Sequence, residues 1–363
     1  MRPLKIFIPP LLLSSCLIYG FCIGRYKWFP FEQLAVIKST LSQIKKLNNY
    51  LPTAGLAKTN NIDSTLAELA KTNNIELNDR LKVLNLISSS KKSNSIKFIS
   101  LGDITLKTTK GLLNSINLQN SSLIVHVGDT LPSGSLCEDY EIDNQRELIN
   151  NFNSPVLYTP GDNEWRDCID EDKGEFYNLE RLSYIRKSYF SKNQTLGRNP
   201  SVVENQRMRG YPENARLMKN NIAFITAHLV GSQNNFDPFS KENILEFIQR
   251  DKANIEWIIK SFEKLKESSA FVVITHGDIF GKKKKPFFYE KFANTLLELS
   301  NKYKRPVLLL CGNIHEFKSF QPAKRKFPFM HVIQNFGPPD NKAIEIEVNP
   351  SKKIPFNVIE LIE

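Results

Sequence analysis

The chain has 363 residues, enough for one large domain or two ordinary ones. Hydrophobic residues make up 41% and charged residues 24%, which excludes a wholly disordered, collagen-like or multi-span membrane chain. Lys and Arg exceed Asp and Glu by 49 − 38 = 11, so the surface attracts anions: phosphate esters, nucleic acid or acidic lipid. Five cysteines are too few for a disulfide scaffold and lack the C-x-x-C spacing of a zinc ribbon.

No charged residue occurs from Ile6 to Gly24, while Arg2 and Lys5 precede this run and Arg25 and Lys27 follow it. A membrane anchor needs roughly twenty apolar residues, and Tyr26 and Trp28 suit its interfacial belt. Two other readings stay open. Leu13-Ser14-Ser15-Cys16 looks like a lipoprotein cleavage box, and the run could also be a buried core helix. Residues 1–24 are therefore expected to form a signal anchor or signal peptide. Residues 25–93 read as a helical and polar linker: Leu34, Ile37, Leu41, Ile44 and Leu47 make a helical stripe, and Leu-Ala-Lys-Thr-Asn-Asn-Ile occurs at both 56–62 and 69–75. The polar stretch Ser88–Ser95 marks a boundary before a domain expected over 94–363.

After it one pattern repeats. Ile96–Leu101 runs into Gly102-Asp103, Leu123–Val127 into Gly128-Asp129, and Val156–Thr159 into Pro160-Gly161-Asp162-Asn163-Glu164. Ile222–Ala227 ends at His228, Phe271–Thr275 at His276, and Val307–Cys311 at Gly312-Asn313-Ile314-His315. Such short apolar, often β-branched runs predict strands buried on both faces of a sheet. Helical patterns between them, as over Glu242–Lys266 and Phe287–Leu299, predict an α/β fold. Ligands bind outside the carboxyl ends of such strands, where the aspartates and histidines stand. Carboxylates and imidazoles without thiolates are the donors of Mn²⁺, Fe²⁺ or Zn²⁺ centres.

The order of these motifs resembles the calcineurin-like metallophosphoesterases, whose pattern runs D-x-H, G-D, G-N-H-[DE], H, G-H-x-H. The resemblance spans about 95–345 and implies two mixed sheets packed as a sandwich flanked by helices, with two divalent ions (Mn, Fe, Mg or Zn) at the strand ends. It matches Asp103 and Asp129 to the first two aspartates, Gly161-Asp162-Asn163-Glu164 to the third motif, His276 to the fourth, and Asn313 with His315 to the last. Pro160–Trp165, Leu179-Glu180-Arg181-Leu182 and His228–Asn235 look like one bacterial subfamily, with a GDNEW-type third motif.

The chain also departs from the pattern. Thr105, Asp162, Asn163 and Asn313 stand where the family has histidine, asparagine, histidine and histidine. One ion would keep Asp103, Asp129 and His315; the other would keep Asp129, Asp162 and His276, with Asn313 as a weak oxygen donor. Exchanging imidazoles for a carboxylate favours Mn²⁺ or Mg²⁺ over Zn²⁺.

The expected activity is hydrolysis of a phosphorylated small molecule or ester by a hydroxide held between the ions. The alternative is a non-catalytic metal or phosphate-ligand binding protein on a degenerate scaffold, because Asn163 lacks the imidazole that aids the leaving group. His228 is expected either to contact the phosphoryl group or fill that role, or to be a structural histidine; Glu164 is expected to orient its neighbours. Lys282–Lys285 and Lys324-Arg325-Lys326 would either be solvated or attract phosphate. No known nucleic-acid motif is present, so nucleic acid is not an expected partner, whereas a membrane is, through the N-terminal segment. Cys137 and Cys168 follow Asp129 and Asp162 in loops leaving one sheet edge and are expected to form a disulfide. That bond would place the domain on the extracytoplasmic side.

Overall fold

A computed structural model describes residues 95–104, 110–119, 121–280 and 287–362. The expected anchor and linker, Thr105 and the lysine run 282–285 lie outside these residues. Among the described residues, no helix is long and apolar enough to cross a membrane.

The predicted strands form β1 (Ile96–Leu101), β2 (Ile124–His126), β3 (Val156–Tyr158), β6 (Ile222–Thr226), β7 (Ala270–Ile274) and β8 (Val307–Cys311). Between β3 and β6 the chain adds β4 (Glu204–Gln206) and β5 (Tyr211–Lys219). Beyond β8 it adds β9 (Lys318–Phe320), β10 (Met330–Gln334), β11 (Ala343–Val348) and β12 (Phe356–Ile362). One sheet has the order β12-β11-β1-β2-β3, and the other β4-β5-β6-β7-β8-β10-β9. Strands β1, β2 and β3 run parallel, as do β6, β7, β8 and β10, while β11, β12, β4, β5 and β9 join by antiparallel pairs. Both sheets are thus mixed, and helices accompany them, as expected.

The sheets pack face to face through Phe98, Val125 and Val127 of the first and Phe224, Val272, Ile274 and Leu310 of the second. Phe98 and Phe224 meet edge to face at 5.2 Å. Burying each such side chain contributes about 1.5–3 kcal/mol. The outer face of the first sheet carries residues of α1 (Lys110–Leu118), α2 (Asp139–Asn150) and α3 (Asn178–Tyr189). The outer face of the second carries α4 (Lys241–Lys264) and α5 (Phe287–Tyr303). Ser240 caps α4 by accepting from the Asn243 N–H, which closes one orphan donor at that end. The buried face of α4 includes Arg250, Ala253, Asn254, Trp257, Ile258, Ser261 and Phe262, at helical spacing. Its polar members, Arg250 and Asn254, hold the chain leaving β6.

Candidate metal centre

The parallel strands of both sheets deliver their carboxyl ends to one place. Asp103 follows β1, Asp129 follows β2, and His276 follows β7. A ligand atom of each lies within 4.8 Å of the others, so the three can hold a metal ion. Asp162, after β3, joins them: its Oδ1 is 2.7 Å from His276 Nε2, which is itself 3.6 Å from Asp129 Oδ1. The His276 Nδ1–H donates to the Val127 carbonyl at 2.8 Å, fixing the tautomer. Nε2 is buried and faces the carboxylates of Asp162 and Asp129.

The loop after β8 closes the other side. The Asn313 backbone N–H donates to both Asp103 oxygens at 3.1 Å, and His315 Nε2 lies 3.3 Å from Asp103 Oδ1. Asp103, Asp129, Asn313 and His315 all have left-handed backbones, with φ of 54°, 53°, 72° and 62°. Such conformations are costly outside glycine and cluster where geometry serves a site.

The electrostatics are those of crowded, dehydrated carboxylates. Burial pushes the Asp129 carboxyl well above its usual range, and Asp162, Glu164 and Asp103 add to this against the pull of His276. Burial also opposes charge on Asp162, yet the His276 ring and the Ser232 hydroxyl hold it at about 2. His276 is likewise buried, but Asp129, Asp162 and Asp103 outweigh that penalty and raise its pKa well above the ordinary imidazole value. The Asp103 carboxylate raises that of His315. A cluster of this kind demands positive charge. A donor set of carboxylate oxygens and imidazole nitrogen fits a divalent cation.

Supporting residues lock the arrangement. Glu164 is fully buried; its Oε1 accepts from the Thr130 N–H (2.6 Å), Thr130 hydroxyl (2.9 Å) and Tyr158 hydroxyl (3.1 Å), and its Oε2 from the Gly161 N–H (3.1 Å). It therefore ties the loop after β2 to the loop after β3. Asp162 accepts from the Gly231 N–H at 3.2 Å and the Ser232 hydroxyl at 2.9 Å. A methyl group on Gly231 would lie deep inside van der Waals contact with Asn313 Oδ1 and 2.6 Å from Asp162 Oδ2, which is why the chain needs glycine there. The next four residues, Ser232–Asn235, all have positive φ. Arg250 holds this left-handed turn through the Asn234 side-chain and backbone oxygens, at 2.7 and 2.9 Å.

The side chains of Asn163 and His228 are both engaged by other residues of the chain. The Asn163 side chain does not stand in for the missing histidine: Nδ2 donates to the Leu131 carbonyl at 3.1 Å and Oδ1 accepts from Lys173 Nζ at 2.8 Å. What Asn163 offers the site is its backbone N–H, 3.0 Å from Asp129 Oδ1. His228 is fully buried, with its Nδ1–H on Glu213 Oε1 at 3.0 Å and its ring 5.4 Å from Trp165. Its carbonyl accepts from Arg250 and Asn254 at 2.7 Å each. Through these bonds the residue ties the loop carrying Gly231 and Ser232 to α4.

The disulfide joins Cys137 to Cys168, with Cα atoms 5.7 Å apart and both residues fully buried. Lys324, Arg325 and Lys326 are exposed. Gly231 and Ser232 lie in the stretch His228–Asn235 that stood out in the sequence without an assigned role, whereas Glu213 and Lys173 were not singled out. The charged Glu213 inside the β5 pattern was the one signal available.

No family model matches the chain, and no curated protein matches it. Solved structures do. TT1561 of Thermus thermophilus aligns at 10% identity and a TM-score of 0.40, covering 73% of this chain and 98% of its own. A dimetal phosphatase from Danio rerio aligns at 11% identity and 0.41, with coverage of 73% and 98%. Yfce, a phosphoesterase from E. coli, aligns at 10% identity and 0.29, with coverage of 74% and 98%.

Proposed function

We propose that the chain is a metal-dependent phosphoesterase of the calcineurin-like class, using two divalent ions to hydrolyse phosphate esters. The observation that carries this reading is the convergence of Asp103, Asp129 and His276 from both sheets within ligand distance of one another. Asp103, Asp129 and His315 would serve one ion, and Asp129, Asp162, His276 and Asn313 the other. Bound there, divalent ions supply Lewis acidity toward phosphoryl oxygens and ease deprotonation of water. The carboxylate-rich set favours Mn²⁺ or Mg²⁺.

The residues of the chain prepare that chemistry. Val127 holds His276 with Nε2 toward the carboxylates. Glu164 fixes the loops that present Asp129 and Asp162. With the Asn163 side chain engaged, no imidazole at position 163 donates a proton to the leaving group. Aryl esters, whose oxygen leaves unprotonated, are therefore the expected better substrates, by a margin on the order of the 10²–10⁴ that general acids supply. The disulfide supports a further part of the reading: export to an oxidising, extracytoplasmic compartment behind an N-terminal membrane anchor.

Turnover of an aryl phosphate mono- and diester with added Mn²⁺ tests the proposal, with bound metal measured on the same samples. Asp129→Ala is expected to lose both metal and turnover. Full occupancy in that variant refutes the ligand assignment, and metal uptake without turnover of any ester favours the non-catalytic alternative.

A further inference from the structure

Lys173 ends a short helical turn, Glu171–Lys173, directly after the acidic stretch Asp170–Asp172, where composition alone would leave it in water. Its side chain is instead only 6% exposed. Lysine is almost never buried to that degree unless paired. Its carboxylate neighbour, Asp167, is a distant partner at 3.9 Å, whereas Nζ donates to Asn163 Oδ1 at 2.8 Å. Asn163 leads directly to the centre, because its N–H donates to Asp129 Oδ1. The segment bearing Lys173 is also fastened: the Cys137 N–H donates to the Lys173 carbonyl at 3.1 Å, and Arg181 donates to the Cys137 carbonyl at 2.8 Å. Lys173 thus lies at the end of a built path, Arg181–Cys137–Lys173–Asn163–Asp129, that reaches a residue shared by both proposed ion sites.

From this we infer that Lys173 is a positioning residue of the metal cradle: through Asn163 it holds the Asp129 carboxylate in ligating position. The inference rests on the metal reading above. Removing the ammonium leaves the buried Asn163 oxygen without its donor, and the peptide that steers Asp129 is then free to shift. Partners of this kind typically contribute 10–100-fold to metal affinity.

The test is Mn²⁺ binding by calorimetry on the full chain, with thermal unfolding measured in parallel. Lys173→Met, which keeps the stem and removes the charge, is expected to weaken Mn²⁺ binding about tenfold. Asn163→Leu severs the same contact from its other side and is expected to do the same, so it keeps the inference refutable should Lys173→Met fail to fold. Because both act on one path, the double variant should lose little beyond either single change. A folded variant of either kind with the wild-type Mn²⁺ affinity, or losses that simply add, overturns the role of Lys173. Wild-type protein that takes up no Mn²⁺ overturns the metal reading and this inference together, and that result is distinguishable because it needs no variant.

Discussion

Replacing Cys137 and Cys168 together by alanine opens a cross-link whose ends lie 31 residues apart. On the loop-entropy model a closure of that length lowers the entropy of the unfolded chain by about 12 cal/mol/K, or about 3.7 kcal/mol at 25 °C. For a domain of this size each kcal/mol moves the midpoint by about 2–4 °C, so thermal unfolding should shift down by about 7–15 °C. Alanine is chosen because both positions are fully buried and a serine hydroxyl would add its own desolvation cost. The change should also reach the metal centre, since the Cys137 N–H holds the Lys173 carbonyl and Lys173 holds Asn163. Near-UV circular dichroism against temperature, on protein oxidised and reduced, measures the first effect; Mn²⁺ titration measures the second. A midpoint that moves by less than about 3 °C, equivalent to roughly 1 kcal/mol, would refute the reasoning. So would reaction of both Cys137 and Cys168 with a thiol reagent in denatured, unreduced protein, which would also remove the support for export.

Gly231→Ala should weaken Mn²⁺ binding about tenfold, because its methyl group displaces Asn313 or Asp162; an unchanged titration would contradict the packing described. A pH effect follows from His228, whose imidazole burial holds down to about 4, against the bond to Glu213. It stays neutral in the fold while the unfolded chain takes up a proton below about 6.5, so stability is complete above 6.5 and falls as pH drops toward 4. The loss approaches about 1.4 kcal/mol per pH unit, on the order of 3 kcal/mol in all. In urea titrations His228→Gln should flatten this slope by about one proton, and parallel profiles for wild type and variant would disprove it.

The strands that end in the site were legible because a strand buried on both faces is written as an uninterrupted apolar run, and its end as the first polar residue. Read this way, Asp103, Asp129, Asp162, His276, Asn313 and His315 all stand at or just past strand ends. The cysteine pair was legible for the same reason: both loops leave one edge of one sheet. Strands β4, β5, β9, β10, β11 and β12 were not; in β5, for example, Glu213 and Asn214 interrupt the apolar pattern and are buried by partners distant in sequence.

What only the tertiary structure decided is which way polar side chains turn. Asn163 and His228 stand at strand ends just as the candidate ligands do, and type and spacing treat them alike. The fold gives the Asn163 side chain to Lys173 and Leu131, and His228 to Glu213, because a buried polar group takes the donor or acceptor that packing brings within reach. Lys173 makes the point from the other direction. An acidic, charged stretch reads as solvated surface, yet the loop pinned by Cys137 buries its lysine against the Asn163 side chain. Periodicity records how much apolar surface a segment buries; it holds no record of which loop closes over which, since that depends on contacts between residues far apart in the chain.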